Sequence, residues 1–280
     1  MVKYIINYSS GGLGNRLIPL SCIMGLCEKL GRKVGIVWPE TIRCMGRFEN
    51  LFLNDINQFK VKNLDPLNTV IYTNPGYIVH DASLNNNKDL LELSYLCQVK
   101  SLDRLNEISN EEKKYIVIYN NTSFLESTNS ISKQLKSLKV TDNIKNKIND
   151  FVEEYKIDRT VTGIHARGTD FINENLSDYI QIIKNILLNN PECKIFFCSD
   201  NVEWETHIKN KFPENIIIRQ KKDYVKKSND NLGWVNNVYT SEESTIEGLI
   251  DIYLLSKTNF LFYNHASTFA QLSIHLQNES

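Results

Sequence analysis

Thr160-Val161-Thr162-Gly163-Ile164-His165-Ala166-Arg167-Gly168-Thr169-Asp170 reads as a buried strand that runs straight into charge. Residues 160–165 have strand composition, and the polar run after them does not fit a plain exit from a strand into a loop. His165 and Arg167 are two apart, so while the strand lasts both point to one side. Arginine is the side chain best shaped to fork onto a diphosphate.

Downstream, apolar spacing predicts a helix over 177–188, a strand over 194–198, a helix over 202–212 and a strand over 216–219. A long polar loop is expected over 220–240. A helix over 242–255, a strand over 260–263 and a last helix from Thr268 complete the half. This β-α alternation predicts a parallel sheet covered by helices on both faces. Such sheets bind ligands beyond the carboxyl ends of their strands. The polar motifs of this chain follow its predicted strands, at those ends.

Upstream, residues 3–8 read as a buried strand and 9–15 as a glycine-rich turn. Leu17, Leu20, Ile23, Met24, Cys27 and Leu30 then recur at helical spacing, with Gly31 as the stop and a second strand over 34–38. Right-handed parallel pairing is the default for such a β-α-β unit. Residues 41–110 are less regular, with turns at Asp65-Pro66 and Asn74-Pro75-Gly76 and short helices expected near 46–53 and 88–97. A strand is expected over 115–119. Ile144, Ile148, Phe151, Val152 and Tyr155 share one face of a helix over 141–155, which reads as a connection between two halves. The expected division is an N-terminal domain over 1–140 and a C-terminal domain over 141–280.

The chain has 280 residues and a formal net charge of -1, so a global basic field for nucleic acid is absent. Its six cysteines form no C-x-x-C pair and have no zinc spacing with histidine; they read as reduced core thiols. No signal peptide is visible, and no run of about 18 apolar residues predicts a membrane anchor. The expectation is therefore a cytoplasmic protein.

Four motifs carry chemistry. Gly11-Gly12-Leu13-Gly14-Asn15-Arg16 lies between a strand and a helix, where glycines let amides approach a ligand and the helix end favours an anion. A dinucleotide fingerprint would need glycine where Leu17 stands, which disfavours a dehydrogenase. The second motif is the stretch ending at Asp170. The third, Phe196-Phe197-Cys198-Ser199-Asp200-Asn201, ends a strand in polar residues; Asp200 could hold a ribose hydroxyl or cap the next helix. In the fourth, Asp251 sits at the edge of a helix's apolar face, and Ser267 and Thr268 open the last helix after His265. They could cap that helix or hold a phosphate there. No D-x-D pair follows a strand, and no G-x-S-x-G or H-E-x-x-H occurs. The expected site holds no metal and draws its positive charge from arginine and helix ends.

Together, these motifs resemble the fucosyltransferase superfamily of nodulation, core alpha-1,6-, alpha-1,2- and protein O-fucosyltransferases. Gly12-Leu13-Gly14-Asn15 resembles its N-terminal glycine motif, and His165-Ala166-Arg167-Gly168-Thr169-Asp170 its H-x-R-R-x-D signature. Asp251-Ile252-Tyr253-Leu254-Leu255-Ser256 with Ser267-Thr268-Phe269 resembles its last motif. The likeness spans the second half and the first forty residues and is weak over 41–140. It implies an α/β, GT-B-like fold of two Rossmann-like domains facing across a cleft, with the donor in the second domain and the acceptor on the first.

The resemblance further implies an inverting, metal-independent glycosyltransferase that takes fucose from GDP-fucose and passes it to a glycan or glycoconjugate hydroxyl, with no cofactor. Arg167 would grip the diphosphate, His165 and Asp251 the guanine end, and Asp200 the ribose. Ser267, Thr268 and Phe269 would line the phosphate site; Gly14, Asn15 and Arg16 would approach from the first domain. Glu174 is the candidate general base. Gly168 stands where the family has a second arginine. Arg16 or Lys221 is the expected compensation. The rival readings are a transferase of this fold using another GDP-sugar, such as GDP-mannose, and a non-catalytic nucleotide-sugar-binding protein.

Overall fold

The computed structural model describes residues 2–8, 10–73, 88–119, 127–169, 175–232, 235–264 and 267–277. The chain forms two compact units. One comprises Met1–Thr41 with Asn54–Lys139, the other Ile42–Leu53 with Val140–Glu279.

The first unit is built on a sheet of β1 (Tyr4–Tyr8), β2 (Lys33–Val37), β3 (Asn57–Gln58), β4 (Thr69–Thr73), β5 (Gln98–Ser101) and β6 (Tyr115–Tyr119). The order is β3-β2-β1-β6-β4-β5, and every pair is parallel. Alternation along the strands splits the core. Ile5, Val70, Tyr72, Ile116 and Ile118 pack against Ile23 and Cys27 of the Leu13–Leu30 helix. Ile6, Ile71, Val117 and Tyr119 pack on the other face with Leu90 and Leu93 of the Lys88–Leu96 helix. The first helix stops at Gly31, in the left-handed region at φ 64, where the amide donates to Cys27 O.

The second unit carries β7 (Thr162–Ala166), β8 (Ile195–Ser199), β9 (Ile216–Ile217) and β12 (Phe260–Phe262) in the order β12-β7-β8-β9, again all parallel. Ile164, Ala166, Ile195 and Phe197 face the helices Leu176–Asn189 and Val202–Lys211 through Tyr179, Ile183 and Ile208. On the opposite face Phe196 meets Phe151 of the Asp142–Tyr155 helix, ring centroids 5.8 Å apart. His165 alternates onto that same face. The segment Ile42–Leu53 is held here by backbone bonds: Thr240 N donates to Ile42 O at 2.7 Å and Thr141 N to Leu51 O at 3.0 Å.

The stretch expected as a long polar loop over 220–240 is different. Lys226–Leu232 (β10) and Val235–Tyr239 (β11) pair antiparallel, from Lys226↔Tyr239 to Leu232↔Val235, with a register shift between Lys227 and Asn231. The sequence Lys226-Lys227-Ser228-Asn229-Asp230-Asn231-Leu232 has no apolar alternation, so the period-2 signal is missing, and the pairing rests on backbone bonds instead. Residues 233 and 234, and with them Trp234, lie outside the described residues. Among the described residues no helix is long and apolar enough to cross a membrane.

Candidate active site

The carboxyl edge of the second sheet gathers most of the expected site. β7 ends at Ala166, paired with Ser199 at the end of β8. Arg167, Gly168 and Thr169 follow β7, and Asp200 and Asn201 follow β8. Of the two readings of Asp200, the helix cap is not borne out. The cap of the Val202–Lys211 helix is Asn201, whose side chain accepts from Glu203 N at 2.9 Å and Trp204 N at 3.2 Å. Asp200 instead reaches back across the sheet edge. Its carboxylate accepts from Gly168 N at 2.7 Å and from the Thr169 hydroxyl.

That clamp explains why glycine stands at 168. A Cβ there would lie 2.7 Å from Asn201 Cβ and 3.0 Å from Trp204 Cδ2. The loop is pressed onto the first turn of the helix, and an arginine side chain has no room to leave the backbone in this arrangement.

His165 is 5% exposed, and its ring stacks on Phe269 with centroids 4.5 Å apart and planes 15° from parallel. Its Nδ1 has no hydrogen-bond partner. Burial, reinforced by the Arg167 guanidinium, lowers the imidazole pKa from 6.5 to about 3, against a smaller opposing pull from Asp251. The ring is thus neutral at pH 7. Phe269 belongs to the first turn of the Thr268–Gln277 helix. Parallel pairing of β12 with β7 brings the entry to that helix to the same edge as His165 and Arg167. Ser267 is fully buried; its hydroxyl accepts from Ala270 N at 3.4 Å, so it acts as a cap. Thr268 is half-buried beside it.

Asp251 is placed deeper. Its Oδ1 accepts from Arg219 Nε at 2.9 Å, and its Oδ2 lies 3.2 Å from Lys221 Nζ. Arg219 also binds both the carboxylate and the carbonyl of Glu247. Lys221 donates to Ser199 O at 2.7 Å and to Glu205, which in turn accepts from Tyr224 OH. All five charged side chains are below 10% exposure. Desolvation raises the Glu205 pKa despite the opposing charge of Lys221. For Lys221 burial pulls downward, but Asp251 and Glu205 outweigh it and the net direction is up. Lys147, at the rim, comes within 3.8 Å of Glu247.

The sequence reading missed Arg219, Glu205 and Glu247. One signal was present: Glu247 and Asp251 are four apart, hence neighbours on one helix, and two like charges there call for a cation between them.

In the first unit, Gly11 adopts φ +85, and a Cβ on it would meet Asn15 Nδ2 at 2.9 Å. Gly14 and Asn15 begin the Leu13–Leu30 helix, the first buried and the second half-buried. Arg16 is fully buried: it donates to Gly11 O at 2.8 Å, Pro39 O at 2.7 Å and Thr41 Oγ1 at 2.9 Å. Its guanidinium also lies over the Trp38 ring, 5.0 Å from the centroid. This geometry fastens the glycine turn to the segment after β2. Asp170, Glu174 and His265 lie outside the described residues.

The sequence matches no protein-family model and no curated protein. Solved structures do match. NodZ alpha-1,6-fucosyltransferase soaked with GDP-fucose superposes over 99% of this chain and 93% of its own, with a TM-score of 0.65 and 17% identity. A variant of Arabidopsis thaliana FUT1 in complex with GDP covers 99% of this chain and 69% of its own, at TM-score 0.60 and 13% identity. POFUT1 in complex with GDP-fucose covers 99% and 96%, at TM-score 0.60 and 11% identity. These likenesses, none above 17% in identity, lie in the fold: the chain has the α/β fold of these fucosyltransferases.

Proposed function

We propose that this chain is a glycosyltransferase that moves fucose from GDP-fucose to a hydroxyl of a glycan or glycoconjugate, with inversion and without metal or cofactor. The observation that carries the reading is the stack of His165 on Phe269, which seats the first turn of the last helix beside the strand exit bearing Arg167. Among proteins of this fold, NodZ was soaked with GDP-fucose and POFUT1 is seen in complex with it.

In this reading the 141–280 half holds the donor and the 1–140 half takes the acceptor. The acceptor oxygen attacks the anomeric carbon as the bond to the diphosphate breaks, leaving the sugar inverted. Charge develops on the departing diphosphate and on an oxocarbenium-like ring. Arg167 and the positive end of the Thr268–Gln277 helix dipole stabilise that charge without reorganising. Neutral His165, with Phe269 against its face, offers the guanine end a flat, dry wall. Asp251 acts there from within its ion pairs, and Asp200 shapes the loop near the ribose. Ser267 and Thr268 line the phosphate side. Glu174 takes the acceptor proton.

The test is release of GDP from GDP-fucose in the presence of a glycan panel, read by mass spectrometry beside GDP-mannose and in excess chelator. Turnover of GDP-fucose with chelator present is the expected result. Preference for GDP-mannose would change the sugar, strict metal dependence would change the mechanism, and binding of GDP without transfer to any acceptor would make the chain a binding protein.

A further inference from the structure

We propose that Lys221 is a positioning residue for the loop that bears Arg167, acting through Ser199 and Asp200 rather than by touching substrate. The inference rests on the donor reading above and departs from the expectation that Lys221 supplies the charge missing at Gly168.

An ammonium has three donors and no more. Those of Lys221 meet Ser199 O, Glu205 Oε1 and Asp251 Oδ2, and the side chain is 5% exposed. Nothing is left to offer a diphosphate. The three acceptors come from three elements: the end of β8, the Val202–Lys211 helix and the Glu242–Lys257 helix. Lys221 therefore ties two helices to the last residue of a strand.

Ser199 is held at both polar groups of its backbone. Its N–H donates to Glu205 Oε1 at 2.8 Å, and its C=O accepts from Lys221. The ladder between β7 and β8 ends at the pair Ala166↔Ser199, so no sheet pairing fixes the chain beyond it. The next residue is Asp200, whose two carboxylate oxygens fix Gly168 N and the Thr169 hydroxyl. Gly168 is peptide-bonded to Arg167. The path runs from Lys221 and Glu205 to Ser199, then Asp200, then Gly168, then Arg167. With room for only one arginine in the loop, the placement of that arginine sets how well the diphosphate is gripped.

Lys221→Met keeps the stem and removes the three donors. Calorimetric titration of wild type and variant with GDP and with guanosine separates the roles. A displaced Arg167 weakens GDP by about 10-fold or more, the worth of a hydrogen bond to a charged group. Guanosine, which has no diphosphate, loses only through Asp251, which Lys221 also touches, so its loss is smaller than that of GDP and the ratio of the two losses isolates Arg167. Hydrogen exchange at the Gly168 amide accelerates in the same variant. Equal losses for both ligands, or unchanged GDP affinity with unchanged exchange at Gly168, would overturn the proposal. If the single variant does not fold, Lys221→Met with Glu205→Gln removes the ion pair without changing net charge, and the same two ligands decide. Failure of wild type to bind GDP would instead remove the donor reading, and this inference with it.

Discussion

The imidazole of His165 and the ring of Phe269 lie face to face, 4.5 Å apart, although 104 positions separate them in the chain. This contact joins the exit of β7 to the entry of the last helix, the two elements assigned to the diphosphate. It also contributes to the burial that, with the Arg167 guanidinium, lowers the imidazole pKa to about 3.

Stability follows from that shift. The folded protein keeps His165 neutral between about pH 6.5 and 3, while the unfolded chain takes up a proton there. Acid therefore favours unfolding, by up to about 1.4 kcal/mol per pH unit, and the effect vanishes above the unfolded pKa. The raised pKa of Glu205 acts in the opposite sense at lower pH, so the comparison must isolate the histidine. Denaturant unfolding of wild type and His165→Asn across this range should show the extra slope in wild type alone. Parallel curves would refute a buried neutral imidazole.

Arg167 carries the leaving-group charge in the proposed mechanism. Arg167→Ala should lower turnover by roughly 10²-fold or more while the protein remains folded. Steady-state GDP release, with circular dichroism as the fold control, measures both. A folded variant with near-normal turnover counts against the site.

Gly168 cannot be restored to arginine without cost. Gly168→Arg adds charge beside Arg167, yet its Cβ collides with Asn201 and Trp204. We expect a loss of about 1–3 kcal/mol in stability, as for overpacking, and weaker rather than stronger GDP binding. Thermal unfolding and a GDP titration give the two answers. Tighter binding with unchanged stability would contradict the clamp.

Arg16 is expected to serve stability first. Arg16→Met strands the carbonyls of Gly11 and Pro39 and the Thr41 hydroxyl, each a buried or half-buried group. The summed cost should be about 3 kcal/mol or more. Arg16→Lys should not recover it, since one ammonium does not reproduce the planar fork that spans these acceptors. Chemical denaturation of the three proteins checks the order, and full rescue by lysine would refute the fork.

Much of the fold was legible along the chain. Strand β6 and the entries to the Val202–Lys211 and Glu242–Lys257 helices lie where apolar spacing put them. The strand expected over 216–219 is shorter: pairing stops at Ile217, and two residues later Arg219 has turned to Asp251 and Glu247. β4 and β5 lie in the stretch expected to be irregular because strands of five and four residues leave no sustained period. The hairpin β10–β11 was invisible because its first strand is polar up to Leu232. Of the site, the sequence pointed to His165, Arg167, Asp200, Asp251 and Phe269 as a group. It did not pair Asp200 with Gly168, or Asp251 with Arg219 and Lys221.

By itself, the sequence determined the alternation of strand and helix, and therefore which residues follow the strands at a ligand-binding edge. Local periodicity and glycine punctuation act over a few residues, so they can be read without a fold. Only the tertiary structure decided what each charged group holds. Lys221 meets Glu205 and Asp251 across 16 and 30 positions, and Asp200 meets Gly168 across 32. Such pairs depend on which strands lie side by side and how far each strand runs before it ends, and no local pattern encodes that.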